Sequence, residues 1–240
     1  MTKPVLLLAD LHLPAQASPL RETFIRFLEG PAREAGAIYL LGDLFEYWIG
    51  DAEGLLDYAR EISRLAALTA RGVEVYFMHG NRDFMVGAAL TEISGVQILP
   101  DPSVVELCGV PTLLSHGDLY CIDDLAYQRW RRFSRRPLAQ WLYRQLPRTL
   151  RERIAGKLRG QSARKSMRPE SIMDVNTGAI DRAFAAHQVP RLIHGHTHRP
   201  AEHDHGHGRQ RIVLADWRPD RAQDLRVDQQ GVRRIDLPMT

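Results

Sequence analysis

A chain of 240 residues, 44% apolar and 25% charged, suits one large domain or one domain carrying a subdomain, and excludes disordered and collagen-like classes. Its two cysteines, Cys108 and Cys121, form neither a CxxC pair nor a disulfide framework, which suits a reducing cytosol and argues against a thiolate zinc site. The net charge of +3 conceals an asymmetry: residues 125–170 hold 14 Lys and Arg against Glu152 and Glu170, a local +12, while the remainder carries 18 basic and 27 acidic residues, or −9.

The chain opens Met-Thr-Lys-Pro and runs into the apolar stretch Val5 to Ala9, too short for the core of a signal peptide and readable as a first strand. No later stretch approaches the ~18–20 apolar residues that span a bilayer, so a soluble or at most peripheral protein is expected. The first strand ends on Asp10-Leu11-His12. Arg21 to Glu34 follows with Phe24, Phe27 and Leu28 at helical spacing. A second strand, Ile38 to Leu41, ends on Gly42-Asp43, and a helix over Leu55 to Leu68 places Leu55, Ala59, Ile62, Leu65 and Ala66 on one face. Val75 to His79 leads into Gly80-Asn81-Arg82-Asp83, and Thr112 to Ser115 into His116-Gly117-Asp118. This rhythm of strand and helix predicts a layered α/β core.

From about Asp123 the strand signal vanishes for fifty residues. Trp130, Phe133, Leu138, Trp141, Leu142, Leu146, Leu150, Ile154 and Leu158 fall at three- and four-residue steps, punctuated by Pro137 and Pro147. The spacing predicts two to four short amphipathic helices over 123–170, inserted into the core rather than forming a separate domain. Their charge points to an anionic partner: a nucleic acid, a membrane surface or a phosphorylated ligand. Strands resume at Arg191 to Ile193, which ends on His194-Gly195-His196-Thr197-His198, then at Ile212 to Leu214 and Leu225 to Val227. Gly206-His207-Gly208 reads as a loop, with His203, His205 and His207 as a solvated surface tract; His187 reads as structural.

Five turns therefore carry metal-ligating residue types, each after a strand-like run. In α/β folds ligands gather beyond the carboxyl ends of strands. Oxygen and nitrogen donors without sulfur suit Mn²⁺, Fe²⁺, Co²⁺ or Zn²⁺ in a catalytic setting. A hydrolytic metalloenzyme is the leading reading.

The order DxH, GD, GN, H and GHxH over Asp10 to His198 resembles the calcineurin-like binuclear metallophosphoesterases. That resemblance implies a four-layer α/β/β/α sandwich of two packed sheets, here one domain over 1–240 with a basic helical lid inserted at 123–170. It implies one metal held by Asp10, His12, Asp43 and His198, and a second by Asp43, Asn81, His116 and His196, with Asp43 bridging. Two cations sharing a water lower its pKa and polarise a phosphoryl oxygen. Asp43, Arg82 and His116 are the expected catalytic residues.

One position departs from the general pattern: Arg82 stands where phosphatases of this fold usually carry a leaving-group histidine. Arginine cannot donate a proton at neutral pH but can clamp a phosphate, which suits cleavage of a pyrophosphate. With Gly42 to Asp51, His79 to Phe84 and His194 to Pro200, the chain resembles the UDP-2,3-diacylglucosamine hydrolase family of lipid A biosynthesis. The resemblance implies water attack on the α-phosphorus, release of UMP and 2,3-diacylglucosamine 1-phosphate, two Mn²⁺ per chain, and peripheral work at the cytoplasmic face of the bacterial inner membrane. It maps substrate contacts onto Asn81, Arg82, Asp124, Ser162, Lys165, Arg168 and His196. The helical insertion is expected to line an acyl cleft with Trp130, Phe133, Trp141, Leu142 and Leu146 and to meet an anionic membrane. A monomer without nucleic-acid partners is expected.

Overall fold

A computed structural model describes residues 3–165 and 174–239, and the side chains of all of these except 159 and 161–165. Its strands are β1 (Val5–Leu8), β2 (Ala37–Leu41), β3 (Glu74–Met78), β4 (Gln97–Leu99), β5 (Ser103–Leu107), β6 (Val110–Ser115), β7 (Arg191–His194), β8 (Ala201–Asp204), β9 (Gln210–Val213), β10 (Gln223–Asp228) and β11 (Gly231–Asp236). Its α-helices are α1 (Pro19–Glu29), α2 (Asp51–Asp57), α3 (Ala59–Thr69), α4 (Ala88–Ser94), α5 (Leu125–Ser134), α6 (Pro137–Arg144), α7 (Arg148–Lys165) and α8 (Thr177–His187).

The strands form two sheets, ordered β11-β10-β1-β2-β3-β4 and β5-β6-β7-β9-β8. β1 through β4 run parallel, as do β6, β7 and β9, while β10, β11, β5 and β8 are antiparallel additions at the flanks. Alternation along β1 sends Leu7 to one face and Leu6 and Leu8 to the other. Leu7, Tyr39, Leu41 and Met78 meet Leu114, Ile193 and Ile212 between the sheets. Leu6, Leu8, Ile38, Leu40 and Phe77 pack outward against Phe24, Phe27, Ile62 and Leu65 of α1 and α3. Leu113 and Leu192 pack against Ile180 and Phe184 of α8 on the far side. The α/β/β/α order of layers follows. Each fully buried Leu or Phe contributes about 1.5–3 kcal/mol, so the three cores dominate the stability.

Several local expectations are corrected. The helix expected over Arg21 to Glu34 stops at Glu29, because Gly30 closes it onto Arg26 and Phe27 carbonyls and Pro31 starts a separate 3₁₀ turn. The helix expected over Leu55 to Leu68 breaks at Tyr58 into α2 and α3. There the Tyr58 hydroxyl donates to the Leu13 carbonyl at 3.0 Å, and the freed Asp57 carbonyl accepts from Arg21 Nη2 at 2.9 Å. The same Arg21 forms a buried ion pair with Glu61 at 2.7 Å. The sequence reading also missed β4, β5, β8, β11, α4 and α8.

The expected insertion holds three helices among the described residues. Pro137 occupies the first turn of α6 and Pro147 immediately precedes α7. Arg168 lies outside the described residues.

Candidate metal centre

The carboxyl ends of five parallel strands point to one place. β1 delivers Asp10 and His12, β2 delivers Asp43, β3 delivers Asn81 and Arg82, β6 delivers His116, and β7 delivers His196 and His198. The first sheet thus supplies oxygen-rich turns and the second supplies imidazoles. Two glycines let these turns close. A Cβ on Gly42 would meet His116 Nδ1 at 2.6 Å and Gly80 Cα at 2.7 Å, and one on Gly80 would collide with the Asp43 carboxylate. Asp10, His12, Asp43, His196 and His198 all hold positive φ, between 47° and 69°. Left-handed backbone costs an L-residue about 1–2 kcal/mol, least for Asn, Asp and His.

Two triads lie with their ligand atoms within 4.8 Å of one another: Asp10, His12 and His198, and Asp10, Asp43 and His116. His12 Nε2 lies 3.2 Å from His198 Nε2, His116 Nε2 lies 3.1 Å from Asn81 Oδ1, and His196 Nδ1 lies 3.2 Å from His116 Nε2. These ring nitrogens and the amide oxygen converge on one place. Asp10 Oδ1 is buried without a hydrogen-bond partner. Such a donor set, rich in buried carboxylate and imidazole, fits divalent cations. Five of the seven expected ligands make up the two triads, with Asp10 in both, and Asn81 and His196 lie against His116.

Hydrogen bonds orient the rings. His116 Nδ1 donates to the Leu41 carbonyl at 2.9 Å, so Nε2 is the nitrogen that faces the centre. His198 Nδ1 stands 3.5 Å from Asp216 Oδ2, and the His196 amide donates to Asp10 Oδ2 at 2.7 Å. His194 faces elsewhere: its Nδ1 donates to the Gly195 carbonyl at 2.8 Å and its Nε2 accepts from Arg211 at 3.3 Å, so it braces the loop from behind.

The electrostatics favour cations. Burial lowers the pKa of His116, yet the Asp43, Asp118 and Asp10 carboxylates outweigh it and push the ring up to about 9. Burial raises the Asp43 carboxyl and neighbouring Asp10 adds to it, against the opposing pull of His116 and Arg82. Burial, with Asp43 nearby, pushes Asp83 up to about 7. Asp83 was not singled out by sequence, yet its carboxylate collects the amides of Gly80, Asp43, Leu44 and Phe45 at 2.8–3.3 Å and so ties two ligand turns together. Its place in the Gly80-Asn81-Arg82-Asp83 run was the available signal.

Arg82 reaches across the rim. Its backbone N–H donates to Asp43 Oδ1 at 2.8 Å, its Nη1 pairs with Glu46 Oε1 at 2.6 Å, and its Nε lies 3.8 Å from Asp43 Oδ2. Asn81, Arg82 and Glu46 also open onto a cleft of about 690 Å³. Its other walls include Trp48, Phe84 and Met85 of the core and Trp130, Phe133, Tyr143, Ile154 and Leu158 of the insertion. Trp141, Leu142 and Leu146 are not among the lining residues, contrary to expectation. Trp141 is 56% exposed and Leu142 52%, on a helix with no buried residue.

The insertion is pinned by its own arginines. Asp118, fully buried, accepts from Arg131 Nε at 2.9 Å, Arg135 Nη2 at 3.2 Å and the Tyr127 hydroxyl at 2.5 Å. Arg131 also pairs with Asp101 at 3.2 Å, and Arg151 pairs with Glu53 at 2.6 Å. The +12 is thereby partly neutralised. Arg132, Arg136, Arg144, Arg153 and Lys157 have no ion pair among the described residues. Asp124 caps α5 through the Tyr127 amide at 2.9 Å and does not line the cleft. Ser162 and Lys165 fall in the last turns of α7, with side chains outside the described set.

A fold that gathers carboxylates, imidazoles and one amide oxygen at the ends of two facing sheets defines a metal-dependent phosphoesterase class, and the family model described as Calcineurin-like phosphoesterase matches residues 3–200. Among curated relatives, a UDP-2,3-diacylglucosamine hydrolase of Pseudomonas aeruginosa (strain UCBPP-PA14) is 45% identical, covering 98% of this chain and 99% of its own. The Stutzerimonas stutzeri protein of that name is 46% identical over 98% and 100%, and the Nitrosococcus oceani one 48% over 88% and 86%. The chain belongs to the UDP-2,3-diacylglucosamine hydrolase family within the calcineurin-like phosphoesterases.

Proposed function

We propose that this enzyme hydrolyses the pyrophosphate bond of UDP-2,3-diacylglucosamine by attack of water on the α-phosphorus, giving UMP and 2,3-diacylglucosamine 1-phosphate. The observation that carries the reading is the apolar cleft of about 690 Å³ that opens directly beside Asn81 and Arg82. A soluble phosphodiester has no use for walls of Trp130, Phe133, Ile154 and Leu158. An acylated sugar does, since such pockets bury most of a ligand's apolar surface.

Asp10, His12, Asp43, Asn81, His116, His196 and His198 would hold two cations, Mn²⁺ in our proposal. When bound, the cations would polarise a phosphoryl oxygen and lower the pKa of water. The protein's own contribution is positional. Arg82 presents a planar fork of donors at the mouth of the cleft, where it would hold the phosphate oxygens of the substrate. It cannot supply a proton, and a phosphate leaving group needs none. Tyr127 lies against the His196 ring, centroids 6.1 Å apart and 27° between planes. Asp124, Ser162, Lys165 and Arg168 remain proposed substrate contacts.

No helix among the described residues is long and apolar enough to cross a membrane. Leu138, Trp141 and Leu142 of α6 are 68%, 56% and 52% exposed, and Arg132, Arg136 and Arg144 lie nearby in sequence without ion pairs among the described residues. We assign this face, within an insertion spanning 123–170, to reversible docking on the anionic cytoplasmic leaflet of the inner membrane. Each such cation contributes about 1 kcal/mol near the surface. The chain is proposed to act as a monomer and to bind no nucleic acid.

The test is UMP release from UDP-2,3-diacylglucosamine in detergent, with Mn²⁺ or chelator, beside a soluble phosphodiester. Fast Mn²⁺-dependent release with little soluble turnover is expected. Turnover of the soluble substrate alone would overturn the assignment of substrate while leaving the metal centre.

A further inference from the structure

Glu46 joins the two halves of the site. The turn after β2 is stitched to the turn after β1: the Glu46 amide donates to the Leu13 carbonyl at 2.9 Å, and Leu13 bridges Phe45. That backbone fixes where the Glu46 side chain starts. One carboxylate oxygen pairs with Arg82 Nη1 at 2.6 Å. The other lies 3.7 Å from Nδ1 of His12, a nitrogen that is buried and has no hydrogen-bond partner. His12 meanwhile turns its Nε2 toward His198 at 3.2 Å, so Nδ1 is the nitrogen left for a supporting contact. Metal-binding imidazoles take such support from carboxylates. Glu46 is only 17% exposed at its side chain and lines the cleft beside Asn81 and Arg82.

We propose that Glu46 is a positioning residue that aligns the phosphate-holding guanidinium of Arg82 with the metal-holding imidazole of His12. It touches neither reacting atom. A guanidinium has many rotamers, and a charged partner at 2.6 Å selects the one that spans the mouth of the cleft. Sharing that carboxylate with His12 sets the distance between phosphate and metal, the quantity on which a near-attack geometry depends. The proposal rests on the phosphoesterase reading above.

The experiment compares full-length wild type, Glu46→Ala, Glu46→Gln, Arg82→Ala and the double variant Glu46→Ala/Arg82→Ala. Three quantities are read: kcat and KM for the diacyl substrate in detergent, Mn²⁺ affinity by calorimetry, and melting temperature. Glu46→Ala is expected to lower kcat about 10–100-fold and to weaken Mn²⁺ binding about tenfold, with little change in melting temperature. Glu46→Gln, which keeps an oxygen for Arg82, is expected to recover part of kcat. In the Arg82→Ala background the loss of Glu46 should cost little further kcat yet still weaken Mn²⁺ binding. Fully additive kcat losses, unchanged Mn²⁺ affinity, or a lower KM with intact kcat would each overturn the proposal; the last would mean that Glu46 competes with phosphate for Arg82. Should the wild type fail to turn over this substrate, the substrate reading fails, and the Mn²⁺ affinities still decide the role of Glu46.

Discussion

Replacing Asp118 by Asn tests whether the helical insertion is locked to the strand-end turn that carries His116. The carboxylate is fully buried and accepts from two guanidinium groups and a phenol, at 2.9, 3.2 and 2.5 Å. Removing one partner from a buried ion pair costs about 3–5 kcal/mol. Here the loss falls at the lower end, because Arg131 keeps Asp101 at 3.2 Å and Arg135 keeps the Gly80 carbonyl at 3.0 Å. About 3 kcal/mol on a chain of this size corresponds to a melting temperature lower by about 6–12 °C. Calorimetry measures that drop, and hydrogen exchange on α5 locates it, since Tyr127 and Arg131 belong to that helix and Arg135 is its C-cap. A melting temperature within about 1 °C of wild type, with α5 exchange unchanged, would refute the buried clamp.

Three further outcomes are expected. Mn²⁺ at about 100 times its dissociation constant should add about 2.7 kcal/mol to wild-type stability; chelator should reverse this and Asp43→Ala should lose most of it, so a wild-type melting curve indifferent to Mn²⁺ would contradict the metal assignment. Trp130→Ala and Phe133→Ala should raise KM for the diacyl substrate in detergent, whereas Trp141→Ala should spare those kinetics and weaken binding to anionic vesicles; the opposite division would exchange cleft and membrane face. Burial pushes the Asp224 carboxyl up to about 6, with Arg226 Nη2 at 3.6 Å only partly offsetting it. The folded state therefore binds this proton more tightly than the unfolded chain, and stability falls as pH rises from about 4 through 6. Asp224→Asn should stabilise by about 1–2 kcal/mol at pH 8 and by almost nothing at pH 4, which paired melting curves at the two pH values can check.

The site was far more legible than its surroundings. Asp10, Asp43, Asn81, His116 and His196 each follow an apolar run that is a parallel strand in the fold, so the local pattern carried the global arrangement. The strands that were missed lie at sheet flanks, where only one face is covered. Ala201–Asp204 is wholly polar after its first residue, and Ser103–Leu107 leaves Val104 49% exposed. Tyr58 broke a helix whose apolar spacing never faltered, because a buried hydroxyl bond to Leu13 outweighed periodicity. Trp130 and Trp141 share one stripe by sequence and opposite fates in space, since which face of a helix docks depends on partners far along the chain. The arginines show the same limit: Arg131 meets Asp101, and Arg151 meets Glu53, across separations that no local pattern records.

The left-handed backbone at Asp10, His12, Asp43, His196 and His198 sets a hidden opposition between keeping the chemistry and keeping the fold. At each of those positions glycine would relax the main chain while deleting a donor, and at Asp10 and Asp43 it would also release the amides of His196 and Arg82 that those carboxylates hold, so the relief of strain is offset by lost hydrogen bonds.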